Sequence, residues 1–117
     1  MKKVNVITFA LMAMILSACS SKSVNTQYYW GNYSDIIYSY YNEPNDFVKQ
    51  ENGFNEIIKM AKDANKPVAP GVYGHLGLVL LKQGKTAEAQ NAFIQEQQLF
   101  PESKTFMQYL QRKNKDK

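Results

Sequence analysis

The chain is poor in the residues on which most small catalysts and metal proteins depend. Its 117 residues include one cysteine and one histidine. A lone cysteine excludes an internal disulfide framework and a cysteine-built zinc site, and a lone histidine leaves little for metal ligation or a triad. The sequence has no glycine-rich phosphate loop, no Gly-x-Ser-x-Gly elbow and no metal-ligand spacing. The expectation is a chain that is not an enzyme and carries no cofactor and no metal. His75, the single acid/base candidate, falls in a helical pattern with no carboxylate at positions 71, 72, 78 or 79, which predicts a structural or surface role. Glu51 and Glu56 are not at helical pair spacing and read as a solvated face.

Charge of one sign is also scarce. Fourteen lysines and arginines against ten acids leave +4, and two of those charges are Lys2 and Lys3. A chain that loses them has a weak basic excess, a poor basis for nucleic-acid binding. Nor is there a long apolar run. The stretch from Val4 to Ile15 falls short of the ~20 residues that span a bilayer. After two lysines and before Leu16-Ser17-Ala18-Cys19, it has the order of a secretory signal: positive start, apolar middle, small residues before a cut.

Leu16-Ser17-Ala18-Cys19 resembles the lipobox of bacterial lipoproteins. The resemblance implies a signal over 1–18, cleavage before Cys19, and lipidation of Cys19, which makes that residue an anchor rather than a nucleophile. Several acyl chains at about 0.8 kcal/mol per buried methylene hold firmly. Ser20 and Ser21 follow where an Asp would favour retention in the inner membrane, so the resemblance implies the outer membrane, on its periplasmic face.

What the chain does have is aromatic residues and helical periodicity. Residues 19–27 carry the lipidation site and then a polar tether. Tyr28, Tyr29, Trp30, Tyr33, Tyr38, Tyr40 and Tyr41 follow, and Asn42-Glu43-Pro44-Asn45 breaks the chain. From Asp46, placed to cap a helix, Phe47, Phe54, Ile57, Ile58, Ala61 and Ala64 recur at helical spacing as far as Asn65-Lys66-Pro67. Gly53 interrupts that pattern at a cost of about 1 kcal/mol. Val72 to Lys82 is apolar nearly all round and needs cover on more than one side. The expected cover is Tyr28, Tyr29 and Trp30 folding back. Gln83-Gly84-Lys85 predicts a turn with Gly84 left-handed. Beyond it, Thr86 is placed to cap a helix that buries Ala89, Ala92, Phe93 and Leu99. A last helix over about 103–112 buries Phe106, Met107 and Leu110, and residues 113–117 form a frayed tail.

Tyr73-x-x-Leu76-Gly77-x-x-Leu80, then Ala89-x-x-x-Phe93, then Pro101 resembles a tetratricopeptide repeat. In such a unit the large residues fill the seam between two helices. Gly77 and Ala89 allow close approach, and Pro101 stops the second helix. Glu96 stands where that family commonly has a small alanine. A weaker first pair, with Tyr38, Tyr41, Phe54, Ile58 and Ala61 in register, and a capping helix give an all-α fold. The expectation is a short tetratricopeptide-like stack of about five helices over residues 28–112, after a signal peptide and tether.

The motifs Tyr28-Tyr29-Trp30-Gly31-Asn32-Tyr33, Pro70-Gly71-Val72-Tyr73-Gly74-His75-Leu76-Gly77 and Phe100-Pro101-Glu102-Ser103 also resemble those of a family of uncharacterised Gram-negative lipoproteins. Its members are often encoded beside a lipoprotein resembling the curli secretion-channel subunit. The resemblance implies a place in an outer-membrane lipoprotein assembly. The expected function is a non-enzymatic protein-interaction scaffold or accessory subunit. The alternative is a peptidoglycan- or polysaccharide-binding module that stacks sugars on Tyr and Trp. Candidate partner-binding residues are Tyr28, Tyr29, Trp30, Tyr33, Leu78, Leu81 and Lys82. The expected partners are other envelope proteins and the membrane itself, through the lipid.

Overall fold

The computed structural model describes residues 2–16 and 27–115. The cleavage junction, Cys19 and the tether up to residue 26 lie outside the described residues. Among the described residues there are six helices: α1 (Lys2–Leu16), α2 (Tyr33–Asn42), α3 (Phe47–Asp63), α4 (Val72–Lys82), α5 (Thr86–Leu99) and α6 (Lys104–Lys115), with a 3₁₀ turn at Pro101–Ser103. None of the described helices is long and apolar enough to cross a membrane. The fold is all-α, and among the described residues β structure is limited to one bridge, Tyr29 with Val68.

Helices α2 to α6 form the stack. Central α4 packs against α3 and α5, α2 packs on α3, and α6 packs on α5. The need for cover around α4 is thus met by helices on several sides, and Val72, Leu76, Val79 and Leu80 are all buried. The repeat pattern has its expected packing. Phe93 is fully buried, and its ring lies where a Cβ on Gly77 would be. Gly84 takes φ +74° in the turn, where the Lys85 N–H donates to the Leu80 carbonyl at 3.0 Å.

Gly53 does not break α3, which runs unbroken through it. A Cβ there would lie 2.7 Å from Ile36 Cδ1, so the glycine lets α2 approach α3 closely. Asp46 sits at the N-cap but makes no side-chain cap bond; its carboxylate pairs with Lys49 at 3.5 Å instead. Thr86 is the first helical residue of α5, and Lys85 occupies the cap position.

Four other expectations are corrected. Leu99 is 51% exposed and Phe100 is buried in its place, because the sequence 89, 93, 96, 100 keeps the three-to-four spacing of the inner face. Phe106 is 57% exposed; it stacks on Tyr109 on the outer face of α6, ring centroids 6.4 Å apart. In the first pair, Tyr38 and Tyr41 are exposed, and α2 turns Ile36 inward with Tyr33, Ile37 and Tyr40 packed around the core. Helix α6 continues to Lys115, into the stretch expected to fray.

Candidate functional site

Helices α3 and α5 flank α4 rather than pack on each other, which leaves a groove with α4 as its floor. Tyr73, Leu76 and Leu80 form that floor at helical spacing. Asn55 and Glu51 stand on the α3 side, with Glu88, Asn91 and Gln95 on the α5 side. This lobe has a volume of about 270 Å³. It opens past Asn55, Tyr73 and Gln95 into a larger lobe of about 770 Å³ at the C-terminal end of α3. Lys59, Lys62 and Lys66 line one side of the larger lobe, and Leu99, Phe100 and Glu102 line the other.

Tyr28 closes the larger lobe, set edge-on to Phe100 with centroids 5.8 Å apart. The chain brings Tyr28 there through backbone pairing. The Tyr29 N–H donates to the Pro67 carbonyl at 2.8 Å, and the Tyr29 carbonyl accepts from Ala69 at 3.3 Å. Prolines on either side of Val68 and Ala69 hold this segment extended, which suits a strand-like contact.

The other aromatic residues go elsewhere. Tyr33 covers α4: its hydroxyl is 2.9 Å from His75 Nδ1 and its ring meets Phe54 edge-on. Trp30 is 38% exposed and leans edge-on against Tyr33. Leu78 and Leu81 are part-buried against the core, and Lys82 is exposed. At 100° per residue, Leu78 and Lys82 lie on the side of α4 opposite Tyr73 and Leu80. Of the seven candidate partner residues, only Tyr28 lines the groove. Its polar walls were missed because a stripe such as Glu51, Asn55, Lys59, Lys62 has the spacing of any solvated helix face.

Of the two carboxylates read as a solvated face, Glu56 is exposed but Glu51 is not, and Glu96 is buried. Glu51 is 2.9 Å from the Lys85 ammonium and accepts from Gln83 Nε2 at 2.7 Å, tying α3 to the turn between α4 and α5. These donors, Lys85 first, hold its carboxyl below the ordinary value. Glu96, 2% exposed, reaches from α5 to the start of α4, where it accepts from the Gly71 N–H at 2.7 Å and the Gly74 N–H at 3.1 Å. A negative group at a helix N-terminus meets both unpaired donors and the positive end of the dipole. Burial nevertheless pushes its carboxyl above the ordinary range, against those N–H donors and His75.

On the far side of the Gly71 peptide, His75 Nδ1 lies 3.0 Å from the Gly71 carbonyl oxygen. Gly71 itself has φ +95°, and a Cβ there would lie 2.6 Å from the Tyr33 hydroxyl, so the position requires glycine. Glu96, Gly71, His75 and Tyr33 thus link α5, α4 and α2. This is a fastening of the fold, and it stands apart from the residues that line the groove. Among the described residues no group of three or more His, Cys, Asp and Glu could hold a metal ion.

A family model described as a domain of unknown function (DUF4810) matches residues 27–110. The match takes in Tyr28, the Tyr29–Val68 bridge, the whole groove and most of α6. No curated protein and no solved structure matches the chain.

Proposed function

We propose that this chain, which belongs to the DUF4810 family of domains of unknown function, is a non-enzymatic docking protein of the bacterial envelope. A lipid on Cys19 anchors it to the outer membrane, and it binds a segment of another envelope protein in the groove over α4. The observation that carries this reading is the shape and lining of the groove: an apolar floor of Tyr73, Leu76 and Leu80 between the amides of Asn55, Asn91 and Gln95. Amides offer both donors and acceptors to a peptide backbone, and part-buried tyrosines suit protein hot spots. The anchor rests on Leu16-Ser17-Ala18-Cys19 and on Ser20-Ser21 after it. Companion lipoproteins of the same membrane are the natural partners, since confinement raises the effective concentration of each for the other. Sugar stacking on the aromatic cluster has less support: Tyr28, Tyr29 and Tyr33 are part-buried against the core.

A photo-crosslinking residue in place of Gln95, in intact cells, should trap a discrete envelope protein. The same residue in place of Lys82, on the opposite side of α4, should not. A crosslink from position 82 alone, or cell-wall sugar trapped at position 95 in place of protein, contradicts the docking reading. The anchor is tested separately. Cys19→Ser should move the protein from the membrane fraction to the soluble periplasm, and continued membrane retention would disprove lipidation at that residue.

A further inference from the structure

The groove is unevenly charged along its length. At one end Lys59, Lys62 and Lys66 face a single carboxylate, Glu102. Lys59 has only an exposed partner, Asp63, at 3.8 Å, and such pairs yield readily to a competing charge. Lys62 and Lys66 have no ion pair among the described residues. At the other end the nearest cation, Lys85, is already held by Glu51, and Glu88 adds a negative charge. A ligand in the groove therefore meets an excess of positive charge at the α3 C-terminal end and none at the α5 N-terminal end.

The dimensions suit an extended chain. Tyr73 to Leu80 is seven residues of helix, ~10 Å at 1.5 Å per residue, which about three extended residues cover at ~3.3 Å each. The basic lobe beyond has room for several more, with Tyr28 and Phe100 as an aromatic corner. No arginine lines either lobe. Lysines act as point charges that pair with carboxylates and phosphates alike, so the rest of the lining decides between them. An anionic lipid head group would leave the apolar floor and the amide walls without a role.

We propose that the groove binds an extended acidic peptide segment, its carboxylates over Lys59, Lys62 and Lys66 and an apolar or aromatic side chain against Tyr28 and Phe100. This rests on the docking reading and adds to it the class of partner and the direction in which it lies.

The test is calorimetric titration of the full chain in detergent with two blocked hexapeptides, Ala-Phe-Ser-Asp-Glu-Asp and its uncharged twin Ala-Phe-Ser-Asn-Gln-Asn. Phosphatidylglycerol vesicles serve as the lipid arm. The acidic peptide should bind roughly tenfold or more tightly than its twin, and added salt should weaken it. The combined variant Lys59→Glu, Lys62→Glu, Lys66→Glu should abolish the difference. These side chains are exposed, so the fold should survive, which circular dichroism checks. Lys113→Glu with Lys115→Glu, away from the groove, should change nothing. Equal binding of the two peptides, no binding of either, or lysine-dependent binding of the vesicles alone would overturn the proposal. Repeating the position-95 crosslink in the triple variant separates the two readings. A crosslink that persists there rejects the acidic segment and leaves docking standing, whereas no crosslink in the unaltered chain rejects docking itself.

Discussion

Glu96→Ala lowers the melting temperature more than any other single polar truncation in the stack. The substitution strips the acceptor from the Gly71 and Gly74 N–H groups and empties the space of a fully enclosed side chain. An unsatisfied buried N–H costs about 1–3 kcal/mol, and the lost packing adds to it. Roughly 2–4 kcal/mol in a domain of this size is a fall of roughly 8–32 °C. Glu96→Gln, which keeps one acceptor oxygen, should lose less than half as much. Thermal melts followed by circular dichroism measure both; a drop of only a degree or two for Glu96→Ala would show that the cap contributes nothing.

The pH dependence of that loss has a definite sign. Burial, the largest influence, holds the Glu96 carboxyl above its ordinary value of 4.5 in spite of the backbone donors. The folded chain therefore binds this proton more tightly than the unfolded chain does. Such a group contributes stability below its unfolded value and loses it as pH rises through the folded value. The gap in melting temperature between the unaltered chain and Glu96→Gln should be widest in acid and narrow as pH climbs through that interval. Glu51 acts in the opposite sense: its lowered carboxyl costs stability as pH falls below 4.5. It is common to both chains, so the comparison cancels it. Tyr33 and Tyr73, both raised first by burial and then by Glu96, remain neutral phenols throughout. A gap that widens toward alkaline pH would contradict the assignment.

The same residue shows what a single sequence can and cannot reveal. Glu96 stands out as a carboxylate on an inner helix face where a small residue is common. Its purpose is invisible there, because the groups it caps lie 22 and 25 residues earlier in the chain. Periodicity encodes which face of a helix is buried, so Leu76, Leu80, Ala89, Phe93 and Met107 were legible and are all buried. It is weakest where a helix ends. The choice between Leu99 and Phe100 turns on a single residue of phase, and the outward position of Phe106 depends on how α6 settles on α5. Pairing by backbone leaves still less trace: Tyr29 joins the 67–69 segment through main-chain atoms that every residue has. The groove was illegible for a related reason. It arises because two helices flank a third without packing on each other, and an amide on its wall looks in sequence like an amide in water.

Gly77→Ala has the second large expected effect, and it separates close approach from helix propensity. In an exposed helix the change would stabilise by about 1 kcal/mol. Here a Cβ would strike Phe93 Cε1 and lie 2.7 Å from Cδ1 and 2.9 Å from Cζ. The ring is fully buried between packed helices, so it has no open direction in which to swing. Overpacking of this kind costs roughly 1–3 kcal/mol, and the clash with a rigid ring places it at the upper end. The net result should be a loss of about 2 kcal/mol, or roughly 8–16 °C. Gly53→Ala is the control. Its Cβ meets only the Ile36 side chain, 2.7 Å from Cδ1 and 3.0 Å from Cγ1, and relief by rotation of that chain leaves the variant within about 1 kcal/mol of the unaltered chain. A double-mutant cycle isolates the cause. Phe93→Leu alone destabilises by opening a cavity, but combined with Gly77→Ala it should be less damaging than the sum of the two, because the added methyl occupies space the ring has vacated. Strict additivity in that cycle would mean that Gly77 and Phe93 do not share a seam, and with that the tetratricopeptide-like packing of α4 on α5 would lose its central contact.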